Sequence, residues 1–342
     1  MPALRLALVG FGNVGRRFAT LLDGRYGRVL RAAGARPMVT GIATARHGAA
    51  IRASGLDPGA CVAAVRAGRS LGALHRGPAV ASVADFIRRV PADVMIEVTP
   101  LDPHRGEPAT THIRLALGRG LHVVTANKGP VAFALRRLQA LARRKKRRFL
   151  HEGVVMDGTP VFNLARRCLP GAKVLGFRGT LNSTTSHILG RMEEGQSAAD
   201  ALREAQSAGI AEADPTLDLE GWDAAVKGCV LANALMGASL RPAQVTRAGI
   251  GGITGEQVRT AAADGFRTRL VVRGGRRGRS VRVAVGPERI PLGDPLSGPG
   301  ADAALVLETD LMGEIGLVER GGSVDQTTYA LLSDLLSIVE AS

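Results

Sequence analysis

The feature that most constrains the fold is a glycine pattern near the N-terminus, between an apolar run and a helical stretch. Residues 4–10, LRLALVG, form an apolar run typical of a parallel strand buried on both faces. Residues 10–15, GFGNVG, match G-x-G-x-x-G and lead into residues with helical apolar spacing. Gly10 would permit a tight turn, Gly12 the approach of a pyrophosphate, and Gly15 close packing of helix on strand. The pattern predicts a dinucleotide-binding loop, although a structural glycine turn is the alternative. The predicted contact residues are Gly10, Gly12, Asn13, Val14 and Gly15.

Strand and helix patterns alternate through about the first 150 residues, which predicts a doubly wound parallel sheet. Beyond that point, strand-like runs from 173–182 to 314–319 are mixed with helical segments, which predicts a second, antiparallel-rich sheet. We therefore expect an α/β fold with a Rossmann-type first domain and a second α+β domain for substrate binding and dimerisation. The predicted domains are 1–148 and 149–322, and a C-terminal helix within 323–342 is expected to pack back onto the first domain.

The segment after the second predicted strand bears on the choice of cofactor. An acidic residue at this place usually binds the ribose 2′-hydroxyl of NAD, whereas an arginine accommodates the phosphate of NADP. Residues 41–48 read GIATARHG, without an acid and with Arg46 in the turn. We expect NADP to be favoured over NAD. The alternative is that Arg46 is only a solvated loop residue.

Two lysines, Lys128 and Lys227, lie in sequence motifs that suggest a chemical role. Lys128, in TANKGP (125–130), follows a short predicted strand and would lie at the rim where α/β proteins form their sites. Lys227 ends the run EADPTLDLEGWDAAVK (212–227), which concentrates carboxylates in a chain of net charge +15. Asp223 lies four residues before Lys227, on the same face of a helix. An exposed ion pair worth about 0.3–0.5 kcal/mol is the ordinary interpretation. A loop dense in acceptors also suits an ammonium-bearing substrate, with lysine for proton transfer.

The chain resembles the homoserine dehydrogenase family, in its monofunctional form. The resemblance spans nearly the whole chain and rests on six motifs in order: GFGNVG, EVTP, TANKGP, EGVVMDGTP, GTLNSTTSHIL and EADPTLDLEGWDAAVK. It implies an NAD(P)-dependent, reversible conversion of L-aspartate 4-semialdehyde to L-homoserine in threonine and methionine biosynthesis. Two alternatives remain open: a related NADP oxidoreductase acting on another small amino or hydroxy aldehyde, and a cofactor-binding pseudoenzyme.

The resemblance also implies roles for individual residues. Lys128 and Lys227 would be the catalytic lysines. Glu212 would bind the substrate ammonium, and Asp218 and Asp223 would position the substrate hydroxyl and the Lys227 side chain. The implied cofactor contacts beyond the glycine loop are Thr99, Pro100 and Asn127. A monovalent cation would be held by backbone carbonyls, with a simple turn as the alternative, at Glu152, Val155, Asp157 and Thr159.

Composition limits the remaining classes of partner. The basic cluster 136–148 raises the question of nucleic acid, but its shortness and an aromatic content of 3% favour a solvated helix end. No apolar run is long enough to cross a bilayer, so no membrane partner is expected. Three widely spaced cysteines without a CxxC pair predict reduced thiols in a cytoplasmic protein. The expected partners are a small-molecule substrate and, by the resemblance, a second copy paired through the sheet of the second domain.

Overall fold

The structure is a computed structural model that describes residues 1–278 and 280–341. The chain divides into two compact units. The first comprises Met1–Pro160 together with the C-terminal segment from Ser323, and the second comprises Val161–Gly322.

The first unit is built on a six-stranded sheet of order β3-β2-β1-β4-β5-β6. Its strands are β1 (Ala3–Val9), β2 (Arg36–Ala43), β3 (Ala49–Ile51), β4 (Val94–Glu97), β5 (His122–Thr125) and β6 (Phe149–Leu150). Its helices before the second unit are α1 (Asn13–Asp23), α2 (Arg25–Ala32), α3 (Pro58–Arg66), α4 (Val83–Arg89), α5 (Ala109–Arg119) and α6 (Lys128–Arg144). All neighbouring strands are parallel except β2 and β3, which confirms the predicted doubly wound sheet.

The order of strands fixes where this sheet can bind a ligand. Connections from β1 run first to β2 on one side and later to β4 on the other, so the order reverses between β1 and β4. Ligands of open α/β sheets bind beyond the carboxyl ends of the strands at such a reversal. The apolar residues of β1 explain its central place, since Leu6, Ala7 and Leu8 are fully buried.

The second unit contains a six-stranded sheet of order β12-β11-β7-β9-β10-β8. Its strands are β7 (Val174–Thr180), β8 (Thr246–Arg247), β9 (Phe266–Arg277), β10 (Ser280–Pro291), β11 (Ala303–Thr309) and β12 (Gly313–Glu319). Its helices are α7 (Val161–Asn163), α8 (Ser183–Glu193), α9 (Ala198–Ser207), α10 (Thr216–Leu219), α11 (Trp222–Leu235) and α12 (Gly255–Ala263). Its pairs are antiparallel except for the short parallel pair of β8 with β10, as the antiparallel-rich prediction requires.

The final helix, α13 (Val324–Val339), belongs to the first unit. Its apolar side joins the core of that unit through Leu331, Leu335 and Ile338. An ion pair between Arg17 of α1 and Asp325, at 2.5 Å, fixes its first turn.

The three cysteines are free, and two of them are buried. Burial raises the pKa of the Cys61 thiol to about 11 and that of Cys229 to about 12. Both thiols are therefore held in the protonated form, which is a poor nucleophile and metal ligand. No helix in the described part of the chain is long and apolar enough to span a membrane.

Candidate functional site

The glycine loop occupies the point where the order of the first sheet reverses. Gly10 has a φ of +94°, and a Cβ at this position would lie 2.5 Å from the Val98 carbonyl oxygen, beyond the end of β4. A Cβ on Gly15 would lie 2.7 Å from the Gly10 carbonyl oxygen. Backbone atoms cannot yield as a flexible side chain can, so both positions require glycine for the turn to close.

Gly12 differs from Gly10 and Gly15 because the space beside its Cα is not filled by other protein atoms. A Cβ at Gly12 would meet no heavy atom of the protein within 4 Å. Gly12 is the N-cap residue of α1 and has no side chain to occupy that end of the helix. The first N–H groups of α1 and the positive end of the helix dipole therefore face an open space that suits a pyrophosphate. Asn13 is exposed at the start of α1, where its side-chain oxygen accepts from the Arg16 guanidinium at 2.8 Å, and Val14 packs against the core.

Arg46 lies in the tight connection between β2 and β3. This connection is held by Thr44, whose hydroxyl accepts a hydrogen bond from the His47 amide at 2.7 Å. Arg46 is exposed at the carboxyl end of β2, and no acidic residue occupies the segment 41–48. A guanidinium at this end of the strand is suited to a 2′-phosphate.

The loops that follow β4 and β5 are tied to each other. The Asn127 side-chain amide donates to the carbonyl oxygens of Thr99 at 2.9 Å and Pro100 at 3.1 Å. The Asn127 side-chain oxygen Oδ1 accepts from the Gly129 amide at 2.9 Å, which caps α6. Lys128 is the first residue of that helix. The structure therefore brings together four of the predicted residues, Thr99, Pro100, Asn127 and Lys128.

The predicted cation segment follows β6 and is anchored by the C-terminal helix. The Glu152 amide donates to the buried Asp334 carboxylate at 2.9 Å, and the Thr327 hydroxyl donates to Asp157 at 3.0 Å. Asp157 adopts a positive φ of 33°, in the left-handed region that is unfavourable for most side chains. Glu152 and Val155 are buried, whereas Asp157 and Thr159 are half-buried. Among the described residues no group of three or more His, Cys, Asp or Glu side chains could hold a metal ion, so any cation here would depend on backbone oxygens.

In the second unit, Asn182 joins the two predicted aspartates. Its side-chain amide donates to Asp218 at 2.7 Å and to Asp223 at 3.1 Å. The Thr184 hydroxyl donates to the other oxygen of Asp218 at 2.7 Å. The Asn182 side-chain oxygen Oδ1 accepts from the Thr185 amide at 2.9 Å and so caps α8. One buried amide therefore holds two carboxylates side by side and starts a helix.

Lys227 completes this cluster. Its Nζ lies 3.1 Å from the Asp223 carboxylate and donates a short hydrogen bond to the Leu181 carbonyl. The Lys227 side chain is 15% exposed and that of Asp223 is 13% exposed, so this pair is not the solvated ion pair considered above. An ammonium carries three N–H donors. Among the described residues, Leu181 and Asp223 are the two partners of Nζ, which leaves a third N–H for a substrate oxygen.

The other acids of the 212–227 run separate into different roles. Glu212 is exposed after α9, and within the described residues its carboxylate makes no hydrogen bond or ion pair. Asp214 accepts from Thr216, and this hydrogen bonding lowers the pKa of the Asp214 carboxyl. Glu220 accepts from the Trp222 indole at 3.2 Å. Asp214 and Glu220 therefore have local structural partners, whereas Glu212 remains exposed.

Leu181, Asn182 and Thr184 were missed as site residues by sequence reasoning. All three lie in the motif GTLNSTTSHIL, which carried the family resemblance but received no chemical role. An asparagine just before a helical run is a preferred N-cap residue, and that signal was present. Its contact with Asp218 joins residues 36 positions apart, which the local pattern does not reveal.

The two units together define a class of protein. The first unit is a nucleotide-binding α/β unit whose glycine loop lies at the reversal of its sheet, and the second presents a lysine beside paired carboxylates. A dehydrogenase acting on a polar small molecule has this combination of a dinucleotide cradle and acid–base groups.

Comparison with known proteins identifies the family. The profile described as homoserine dehydrogenase matches residues 160–336, and the profile of the homoserine dehydrogenase NAD binding domain matches residues 10–152. The NAD(+)-dependent homoserine dehydrogenase of Pseudomonas canavaninivorans is 36% identical, with 100% of this chain and 98% of that protein aligned. The homoserine dehydrogenase of Methanocaldococcus jannaschii is also 36% identical, over 98% of this chain and 99% of its own length. A solved hyperthermophilic archaeal homoserine dehydrogenase in complex with NADPH superposes with a TM-score of 0.84 at 26% identity, covering 99% of this chain and 98% of that one. The chain belongs to the homoserine dehydrogenase family.

Proposed function

We propose that this protein catalyses the NAD(P)-dependent, reversible reduction of L-aspartate 4-semialdehyde to L-homoserine. The observation that carries the proposal is the Lys227 cluster in a chain of this family, in which a part-buried ammonium lies beside two carboxylates that one asparagine joins. Its elements match what a small amino aldehyde requires: a proton donor for the carbonyl oxygen and carboxylates for the ammonium.

The chemistry divides between hydride and proton. In the reductive direction the aldehyde carbon gains a hydride and its oxygen gains a proton, which together give the alcohol. When bound, the nicotinamide supplies the hydride. We assign the proton to Lys227 Nζ, which is held by the Leu181 carbonyl and the Asp223 carboxylate. In the oxidative direction the neutral amine takes the proton from the hydroxyl.

The remaining predicted residues receive roles on the same proposal. Asp218 and Asp223 present carboxylate oxygens that Asn182 keeps at fixed positions. Glu212, exposed on its loop, is assigned to the substrate ammonium. Lys128 is assigned as the second catalytic lysine, because Asn127 fixes the start of α6 at the carboxyl edge of the first sheet.

The residues of the first unit fit a dinucleotide cofactor. The open space before α1, with Gly12 at its entrance, suits the pyrophosphate, and the turn of Arg46 suits the 2′-phosphate of NADP. Thr99, Pro100 and Asn127 are assigned to the nicotinamide end. We propose NADP as the preferred cofactor, with NAD as the alternative that the P. canavaninivorans relative illustrates.

Arg46→Ala is expected to weaken NADP binding about tenfold or more, since a hydrogen bond to a charged group is worth about 1.5–3 kcal/mol. NAD, which lacks the 2′-phosphate, should bind with unchanged affinity. Calorimetric titration of both cofactors measures the difference. Arg36→Ala is the matched control, because Arg36 is an exposed arginine at the opposite end of the same strand. Equal affinities of the wild-type protein for NAD and NADP would contradict the assignment.

Asn182→Asp is expected to lower kcat/KM for homoserine at least about tenfold, because the amide donor shared by Asp218 and Asp223 becomes a third carboxylate. The new side chain keeps an oxygen for the α8 cap, so loss of the cap does not explain the result. Initial rates at several homoserine concentrations give the value. Thr254→Ala removes only a helix cap in the same unit and should leave kcat/KM unchanged. Activity of Asn182→Asp equal to wild type would remove Asn182 from the site.

One assay tests the proposed function itself. Purified protein is mixed with L-homoserine and NADP or NAD, and the absorbance of the reduced nicotinamide is followed. Steady reduction of the cofactor that depends on homoserine is the expected result. Activity on a different small hydroxy compound, with none on homoserine, would overturn the choice of substrate while leaving the reaction class in place.

A monovalent cation and a second copy complete the proposal. The cation is assigned to backbone carbonyls of the segment after β6. Because tetramethylammonium is too large for such a site, replacing K⁺ in the assay with tetramethylammonium should lower activity.

The proposed dimer uses the face of the second sheet opposite to α11. Gly228 of α11 packs against Val272 and Val283, so Arg273, next along β9, points to the other face. There it lines a groove of about 610 Å³ that holds arginines and glutamates, a self-complementary mixture of charge. Sedimentation equilibrium should give twice the mass of one chain.

A further inference from the structure

Glu97, the last residue of β4, has a fully buried side chain. A buried carboxylate is costly unless hydrogen-bond donors satisfy its oxygens. Here two threonine hydroxyls do so: Thr99 donates to Oε1, and the single hydroxyl proton of Thr125 is shared between the Glu97 backbone carbonyl at 2.9 Å and Oε2 at 3.2 Å. Thr99 lies in the loop after β4, and Thr125 is the last residue of β5. The carboxylate therefore bonds to the ends of two neighbouring strands at once.

These bonds are part of a closed ring. The Asn127 amide donates to the Thr125 hydroxyl oxygen at 2.9 Å, and the Asn127 side chain returns to the Thr99 carbonyl at 2.9 Å. Glu97, Thr99, Asn127 and Thr125 thus form a continuous cycle, called here the Glu97 ring. The cycle closes immediately before Lys128, the first residue of α6.

The buried His112 lies beside Glu97 but is not hydrogen-bonded to it. His112 of α5 is buried, and its Nδ1 lies 3.8 Å from Glu97 Oε1, beyond hydrogen-bond distance. In the described structure this Nδ1 has no hydrogen-bond partner. The carboxylate is thus bonded to the two loops and not to the imidazole beside it. Its hydrogen bonds link the loops to each other instead of anchoring α5.

We propose that Glu97 is a positioning residue for the reaction: the Glu97 ring holds the loop of Thr99 and Pro100 in a fixed relation to Lys128. The inference rests on the proposed function, which assigns that loop to the nicotinamide and Lys128 to catalysis. Small displacements of catalytic groups have large effects, since a shift of about 1 Å can cost about 10²-fold in rate. Glu97 touches neither substrate nor cofactor in this proposal and acts through the residues that do.

The test compares Glu97→Ala with Glu97→Gln. Glutamine can accept from the Thr99 hydroxyl through its oxygen and donate to the Thr125 oxygen through its nitrogen, so the ring survives without the charge. We expect Glu97→Ala to lower kcat about twentyfold or more and Glu97→Gln to stay within about threefold of wild type. Affinity is measured by calorimetry for NADP and for 2′-phospho-ADP-ribose, which lacks the nicotinamide. Glu97→Ala should weaken the binding of NADP and leave the binding of 2′-phospho-ADP-ribose unchanged.

Two further variants keep the test decisive. Thr125→Val preserves volume and opens the ring, so it should reproduce the alanine phenotype even if Glu97→Ala does not fold. Thr40→Val removes a buried hydroxyl that bonds the Pro91 carbonyl elsewhere in the same sheet, and it should lower stability without changing kcat. Unchanged kcat in folded Glu97→Ala, or an equal loss in Glu97→Gln, would overturn the proposal. If wild type does not oxidise homoserine the proposed function fails, while the comparison of the two nucleotides still measures the ring.

Discussion

Replacing Lys227 with alanine is expected to lower kcat for homoserine oxidation by about 10²-fold or more, the range for loss of a general acid or base. The lysine is held in place before substrate arrives, by the Asp223 carboxylate at 3.1 Å and by the Leu181 carbonyl. Alanine removes the proton-transfer group and leaves Asp223 without its cationic neighbour. Initial rates at saturating homoserine and cofactor give kcat.

Two other substitutions separate the possible roles of Lys227. Lys227→Met keeps much of the volume of this part-buried side chain, so a loss of activity in a protein that melts normally is not a folding defect. Lys227→Arg keeps the positive charge but does not give up a proton at neutral pH. If Lys227→Arg keeps the activity that Lys227→Ala and Lys227→Met lose, the role of Lys227 is electrostatic and the assigned proton transfer is wrong.

The matched control is an exposed lysine. Lys145 directly follows α6 within the basic cluster 136–148, and its replacement by alanine should leave kcat unchanged. The Lys128→Ala substitution is also expected to lower kcat by about 10²-fold. Full activity in both Lys128→Ala and Lys227→Ala would rule out the catalytic roles of the two lysines.

The parts of the site that local spacing determines were predictable from the sequence. The apolar run before GFGNVG predicts β1, and the helical spacing after it predicts α1, so the glycine loop could be placed between them. The spacing of four between Asp223 and Lys227 likewise predicts their contact on α11. Each of these inferences depends on residues close together in the chain.

What the sequence did not reveal depends on contacts between distant segments. The Ala-, Gly- and Arg-rich residues 52–78 lack a clear period, yet Pro58–Arg66 form α3 because Asp57 caps it and Cys61 and Val62 pack into the core. The bridging of Asp218 and Asp223 by Asn182 requires a loop to approach from another part of the unit. The burial of Glu97 likewise depends on a distant segment, since its carboxylate contacts Thr125, 28 residues further along the chain.

Gly12→Ala is expected to weaken NADPH binding about tenfold to a hundredfold while the protein folds as wild type. The added methyl group meets no protein atom within 4 Å, and Gly12 has an ordinary negative φ of −76°. The space it enters is the one assigned to the pyrophosphate, whose charge-assisted hydrogen bonds to the α1 amides are worth about 1.5–3 kcal/mol each. Fluorescence titration with NADPH measures affinity, and thermal melting without cofactor measures stability.

The neighbouring glycines show why this position is informative. Alanine at Gly10 or Gly15 would collide with backbone oxygens, so weak binding by those variants would report a damaged turn. Gly118→Ala, on an open face of α5, is the control for adding a methyl group without consequence. Wild-type affinity in Gly12→Ala would mean that no phosphate lies at the N-terminus of α1. Weak binding with an unchanged melting temperature has one explanation, that the cofactor needs the space which this glycine leaves open.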